Sequence, residues 1–294
     1  MSYAVLDDYI RRLPRAPGKG SRLWLNAKGQ AEAKYFNCTL TSVFQPLRRL
    51  SDGAVAGHEA FVRSAADGEP ALSVWKILEL AANDDESVEL DRLCRMLHAV
   101  NFFRQPESGE GDLFLSVHDR LLAAVGSNHG MAFRRILGSL GLPVDRIVLQ
   151  LPAPAPSGKW LLNHVAGNYL LNGFRIAVNV TDINQAMEVL EDARPALLKL
   201  DVRAIADERQ LMALLSACRV HGVRLVLRRI DSQPLADLAR SLQAAGPDLL
   251  LQGLACDRPA AGLAPAWREK PGAAAPPPCP ASHVDSASDT SIFS

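Results

Sequence analysis

The 294-residue sequence carries no excess charge of either sign: 32 lysines and arginines stand against 32 aspartates and glutamates. So balanced a chain projects no strong field, which leaves nucleic acid without electrostatic support as a partner and gives no reason to expect an anionic membrane surface. Long apolar runs are also missing. Stretches such as Leu249-Leu250-Leu251 fall far short of the roughly 20 residues a membrane span needs. The start, Met1-Ser2-Tyr3-Ala4 with Asp7 and Asp8 close behind, has no basic region followed by an apolar one. The chain is therefore read as cytoplasmic. The cysteines Cys38, Cys94, Cys218, Cys256 and Cys279 are odd in number and far apart, with no Cys-x-x-Cys pair. That excludes a zinc ribbon and a disulfide framework and leaves buried, inert thiols as the expectation. Gly-x-Ser-x-Gly and His-Glu-x-x-His do not occur, and His98, His129, His164, His221 and His283 have no evident acidic or cysteine partners. Pro17-Gly18-Lys19-Gly20-Ser21 lacks the spacer of a phosphate-binding loop and reads as a linker.

What is present is alternation. Short apolar runs of strand length, Leu40 to Phe44, Val55 to Val62, Leu113 to Val117, Ile147 to Leu151, Phe174 to Val178, Leu197 to Leu200, Val223 to Leu227 and Leu249 to Leu251, are separated by longer stretches of helical period. The runs are apolar nearly throughout, which suits strands covered on both faces. Eight of them with intervening helices fit an α/β fold, a (β/α)8 barrel. The first two, joined by Ser51-Asp52-Gly53, are too close for a crossover helix and predict an antiparallel hairpin. Ahead of them, residues 1–37 form an N-terminal segment with one short helix, Tyr3 to Leu13, stopped by Pro14. The folded domain is expected over 38–262. Residues 263–294, with Pro276-Pro277-Pro278 and a Ser/Asp/Thr-rich end, are too poor in apolar side chains to offset ordering entropy and are expected to form a disordered tail.

Within 38–262 several short motifs fall at candidate strand ends, where barrels build their sites. Gln45-Pro46, Gly57-x-Glu59-Ala60-Phe61-x-Arg63, Lys199-Leu200-Asp201 and Gln252-Gly253 with Arg258-Pro259 occur in that order. Together they resemble the EAL domain family, bacterial phosphodiesterases that hydrolyse cyclic di-GMP. The resemblance implies an EAL-type modified TIM-like barrel with an antiparallel first strand. It also implies that Gln45, Pro46, Arg63, Gln252 and Gly253 would contact cyclic di-GMP if that ligand binds.

The remaining positions depart from the family. Active members, by the same resemblance, hold divalent cations with the motif glutamate, an asparagine, a second glutamate and an aspartate pair. Here Glu59 stays, while those later positions fall on His118, Gln150, Asn179 and Val180, and Arg228 stands where a further glutamate is expected. Hydrolysing a phosphodiester needs cations to neutralise phosphoryl oxygens and to lower the pKa of the attacking water from about 15.7 toward neutrality. Magnesium and manganese want hard, mostly anionic oxygen ligands. One carboxylate with amides and a guanidinium does not supply them, so neither metal is expected, and Glu59 and Lys199 read as vestiges of a catalytic site. A shift placing Asp182 where Asn179 stands is the competing alignment. His118 reads as a hydrogen-bonded residue rather than a ligand, and Arg228 is expected to pair with Glu59, guanidinium replacing cation.

The functional expectation is a degenerate, non-catalytic EAL protein acting through contact with a protein partner in motility, adhesion or virulence control. The alternative is a metal-independent cyclic di-GMP receptor, and the third reading is an active phosphodiesterase. A homodimer is left open.

Overall fold

The computed structural model describes residues 3–18, 22–66, 84–118, 129–155, 159–193, 195–242 and 249–264. Every apolar run singled out above matches a strand to within a residue at its ends or lies inside one: β3 (Cys38–Arg49), β4 (Val55–Ala66), β5 (Asp112–Ser116), β6 (Ile147–Leu151), β7 (Arg175–Val180), β8 (Leu197–Asp201), β9 (Arg224–Arg228) and β10 (Leu249–Leu251). β4 to β10 pair in parallel, in sequence order. β3 closes the ring by pairing antiparallel with β4 on one side and β10 on the other. The result is an α/β barrel of eight strands whose first strand runs against the rest. The reversal follows from the hairpin. Gly53 takes a left-handed φ of 68°, and the Asp52 carboxylate accepts the Ala54 N–H at 2.9 Å, so the chain turns back within the Ser51-Asp52-Gly53 corner.

Between the strands, α2 (Asp84–Phe103), α3 (His129–Ser139), α4 (Lys159–Leu171), α5 (Ile183–Asp192), α6 (Glu208–His221) and α7 (Gln233–Ser241) cover the barrel. Their apolar faces supply Leu90, Leu97, Phe133, Leu190, Leu214 and Cys218 to one continuous core against the outward-facing strand residues. No described helix is long and apolar enough to cross a membrane. Cys94, Cys218 and Cys256 are buried and Cys38 half-buried, all as free thiols, and burial pushes the Cys218 thiol up to about 11. Cys279 and the expected tail from 265 onward lie outside the described residues, whereas Leu263, assigned to that tail from the sequence, is buried in the core with its N–H donating to Gln105 Oε1 at 2.9 Å.

The barrel interior is layered because successive strand residues point to opposite faces. Leu47, Phe114, Val148, Ala177, Leu197, Val226 and Leu250 form a buried apolar layer of their own inside the ring. Below it, Asp112 accepts from Arg175 at 2.7 Å and faces Arg224 at 3.6 Å. Two residues further toward the strands' C-terminal ends the lining turns polar, and the site is there. Gly57, two residues before Glu59, is required by this layering: a Cβ on it would lie 2.6 Å from the Asp112 carbonyl oxygen and 2.7 Å from the Phe114 ring. Gly57→Ala should therefore destabilise by about 1–3 kcal/mol through overpacking. An unchanged urea midpoint would show that the Phe114 ring has room to yield.

Two strands were not anticipated. β1 (Leu23–Leu25) and β2 (Ala31–Tyr35) form a hairpin that extends the sheet from the start of β3. Their alternation is weak, since Ala31 and Ala33 are small and Glu32 and Lys34 interrupt them. Tertiary contact supplies what propensity does not. The Asn101 side chain of α2 accepts the Ala31 N–H and donates to the Ala31 carbonyl, both at 2.8 Å, in the manner of a neighbouring strand. The helix expected at Tyr3 to Leu13 is α1 (Ala4–Arg12). It is anchored by the fully buried Leu6, by Tyr3 edge-on to Phe103 at 5.3 Å, and by Arg146 donating to the Tyr3 hydroxyl at 2.8 Å. Pro17 and Gly18 follow it as irregular chain, and residues 19–21 of the expected linker lie outside the described residues.

Candidate functional site

The polar layer is organised around the carboxylate of Glu59. β4 carries it into the barrel opposite Gln45 of β3, and it is buried, at 8% exposure. Lys199, on β8, places its Nζ 2.6 Å from Glu59 Oε2. Gln252, just past β10, donates to the same oxygen at 2.7 Å, and Gln150 of β6 donates to Oε1 at 2.8 Å. Lys199 also donates to Gln150 Oε1, which joins the three donors into one network. Ser116 of β5 stands 3.5 Å from Glu59 Oε1 and accepts from Gln150 Nε2 at 3.3 Å. Four strand ends thus converge on one carboxylate, with both oxygens in charge-assisted or amide hydrogen bonds.

Burial by itself would raise the Glu59 pKa, but the Lys199 ammonium and the donors Lys199, Gln252 and Gln150 outweigh it and hold the carboxyl below the usual carboxylate range. Lys199 is lowered by burial, with Arg228 pushing the same way and Glu59 opposing both. The two side chains answer each other directly across 2.6 Å, each favouring the charged form of its partner.

The expected partner for Glu59 was Arg228, and the structure corrects this: the cation on the carboxylate is Lys199. The strand register explains the exchange. Lys199 lies level with Val226, whereas Arg228 lies level with Asp201, two residues nearer the barrel mouth. At that height Asp201 accepts from Arg203 at 2.6 and 2.9 Å and lies 3.7 Å from Arg229. Arg228 itself has its pKa lowered, by burial first and then by Arg229. Its Nε is buried and, among the described residues, makes no hydrogen bond.

The other singled-out positions are dispersed. Asn179 is half-buried and donates to the Leu151 carbonyl at 3.0 Å. Val180 faces outward into the helix-covered core and is fully buried. Asp182, the competing candidate, caps α5: its Oδ1 accepts the Gln185 N–H at 2.9 Å, and the Thr181 hydroxyl donates to its other oxygen at 2.9 Å. His118 is half-buried beyond the end of β5, and the β5 side chain at Glu59 is Ser116, which the motif reading passed over. Period-two counting from Phe114 would have found it. Gln45 donates to the Asp257 carbonyl at 2.8 Å, and Pro46 lies opposite His58. Arg63 is exposed on β4. Gly253 is a packing position, since a Cβ there would meet the backbone of Ile230 at 2.2–2.4 Å.

Among the described residues no group of three or more His, Cys, Asp and Glu side chains could hold a metal ion. The donor set around Glu59, namely an ammonium, two glutamine amides and a hydroxyl, is one that a hard divalent cation does not favour. A magnesium or manganese ion therefore does not fit these residues as they stand.

The model of the EAL domain matches residues 31–259, most of the chain. The chain belongs to the EAL domain family. Among curated proteins none matches it. Solved EAL structures share its fold. The YkuI protein of Bacillus subtilis, with an EAL domain and in complex with cyclic di-GMP and calcium, is 19% identical, with a TM-score of 0.62 over 77% of this chain. This chain spans only 57% of YkuI. The FimX EAL domain of Pseudomonas aeruginosa, bound to cyclic di-GMP, is 17% identical with a TM-score of 0.61, the match covering 76% of this chain and 91% of that one. The FimX EAL domain of Xanthomonas citri, also in complex with cyclic di-GMP, is 18% identical with a TM-score of 0.60, covering 76% and 88%. The barrel described above is thus the EAL fold.

Proposed function

We propose that this EAL domain is degenerate: it does not hydrolyse cyclic di-GMP and acts as a regulator in bacterial signalling through contact with another protein. The observation that carries the reading is the state of Glu59. A carboxylate that is to hold a cation needs free oxygen lone pairs directed at the metal and further anionic oxygens beside it. Glu59 spends both oxygens on Lys199, Gln150 and Gln252, and a cation entering there would displace an ammonium already bonded at 2.6 Å. Without it the attacking water keeps a pKa near that of bulk water. The outer surface supports a contact role. Trp160 and Leu171, eleven residues and so about three helical turns apart, stand on one side of α4 at 66% and 86% exposure.

The expected result with cyclic di-GMP in magnesium or manganese is no linear dinucleotide after prolonged incubation. Cleavage abolished by Glu59→Ala would return the enzyme reading. For the contact role, a stoichiometric partner captured from the native lysate should be lost on Trp160→Glu at an unchanged melting temperature; retention would move the interface elsewhere.

A second reading, a metal-independent cyclic di-GMP receptor, is favoured by basic residues on the site's side of the barrel, Arg228 ending β9, Arg229 directly after it and Arg63 exposed on β4.

A further inference from the structure

We infer that Arg228 is an anion anchor, donating its guanidinium to a phosphate group without any metal ion; this rests on the receptor reading. The argument begins with the neighbouring charges. Lys199, Arg203, Arg228 and Arg229 face Glu59, Asp201 and Asp231 around the C-terminal ends of β8 and β9. Each of those carboxylates is committed. Glu59 is taken by Lys199 and two glutamines, Asp201 by Arg203 with Arg229 at 3.7 Å, and Asp231 by the Leu254 N–H at 2.9 Å. Arg228 is left over, with its Nε buried and making no hydrogen bond among the described residues. A buried donor without an acceptor costs free energy that an incoming oxyanion would recover.

The backbone holds this arginine ready. Arg229 takes a left-handed φ of 62°, unusual for a residue with a Cβ, and the Asp231 N–H closes onto the Arg229 carbonyl at 2.9 Å. Ile230 then donates to the Gln252 carbonyl at 3.1 Å and accepts from the Ala255 N–H at 2.9 Å, against the Gly253 backbone that has room for no side chain. The turn carrying Arg228 and Arg229 is thus clamped between the ends of β9 and β10, and an anion meeting it would pay little ordering entropy. A planar guanidinium matches two phosphate oxygens at once. The ligand class is therefore a phosphate monoester, diester or pyrophosphate, and the site differs from a metal-bridged one in needing no cation.

The test is isothermal titration of the full chain in EDTA with two probes, cyclic di-GMP and inorganic pyrophosphate. Binding of either, unchanged by added magnesium and weakened about tenfold or more by Arg228→Gln, is the expected result. Binding of cyclic di-GMP alone identifies a cyclic dinucleotide as the source of the phosphate; binding of pyrophosphate alone identifies a free phosphate and overturns the receptor reading. Arg228→Lys should restore part of the loss, since it returns the charge without the fork, and it serves if the glutamine variant does not fold. Binding unaffected by Arg228→Gln or by both variants overturns the anchor and leaves the receptor reading standing. Binding that requires magnesium overturns both, as does no heat with either probe.

Discussion

Lys199→Met is expected to destabilise the barrel by about 3–5 kcal/mol, the cost of breaking a buried ion pair from one side. The substitution roughly keeps the stem's volume and removes the ammonium that sits 2.6 Å from Glu59 Oε2. It leaves the carboxylate in the barrel interior with the amides of Gln150 and Gln252 as its remaining strong donors. Glu59→Gln should cost a similar amount, because it strands Lys199, which is only 2% exposed. Against a typical total stability of about 5–15 kcal/mol, either change removes a large share. The double variant should recover most of the loss, since two neutral side chains in the same space abandon no charge. Urea denaturation at constant m-value measures all four corners of the cycle. Because Glu59 is held below the usual carboxylate range, its share of stability is fully present above the unfolded-state carboxylate pKa and is lost as pH falls through the lower folded value. Single substitutions costing less than about 1 kcal/mol would put the pair in contact with water, and the case against a cation at Glu59 would fall with it.

The sequence made the barrel legible because its strands are covered on both faces. Runs such as Ile147-Val148-Leu149 need apolar residues inward for the inner layer and outward for the helices, so they read as continuous apolar stretches. The short Ser51-Asp52-Gly53 corner gave away the reversed first strand, since no helix fits between β3 and β4. The motifs and the departures from them likewise named Glu59, Gln150, Lys199 and Gln252, and these four side chains meet inside the barrel. What the sequence did not carry was height within the barrel. Lys199 and Arg228 both point inward from the ends of adjacent strands, and only the stagger of β9 against β8 raises Arg228 level with Asp201 and leaves Lys199 to reach Glu59. Residue spacing along one strand is silent on that stagger, which belongs to the closed ring. The β1–β2 hairpin was hidden for a different reason: its fixing contact, Asn101 on Ala31, joins residues 70 apart in sequence.

Acidification from pH 7 to pH 5 should cost about 4 kcal/mol through two buried histidines, about 2 kcal/mol from each. His98 of α2 lies behind β3 with its Nδ1 hydrogen-bonded to the Ser42 hydroxyl at 2.8 Å, and burial lowers its pKa to about 3. His58 faces outward from β4 onto the edge of Phe102, with ring centroids 6.0 Å apart. Burial, then the charge of Arg48, lowers its pKa to about 4. Both are neutral in the folded protein at pH 5, whereas the unfolded chain protonates them below about 6.5. The unfolded state therefore binds more protons across this window, and stability falls as pH drops from 6.5 toward the folded values, flattening below about 4 for His58 and about 3 for His98. The two contributions separate by substitution. Neither ring nitrogen of His58 has a hydrogen-bond partner among the described residues, so His58→Phe gives up no bond and should leave stability at pH 7.5 equal or higher. It should also halve the slope between pH 6.5 and 5, since His98 alone would still take up its proton on unfolding. Denaturant midpoints measured across that range decide it: a slope that His58→Phe leaves intact would mean that the imidazole is protonated inside the fold, with Arg48 too weak a neighbour to prevent it.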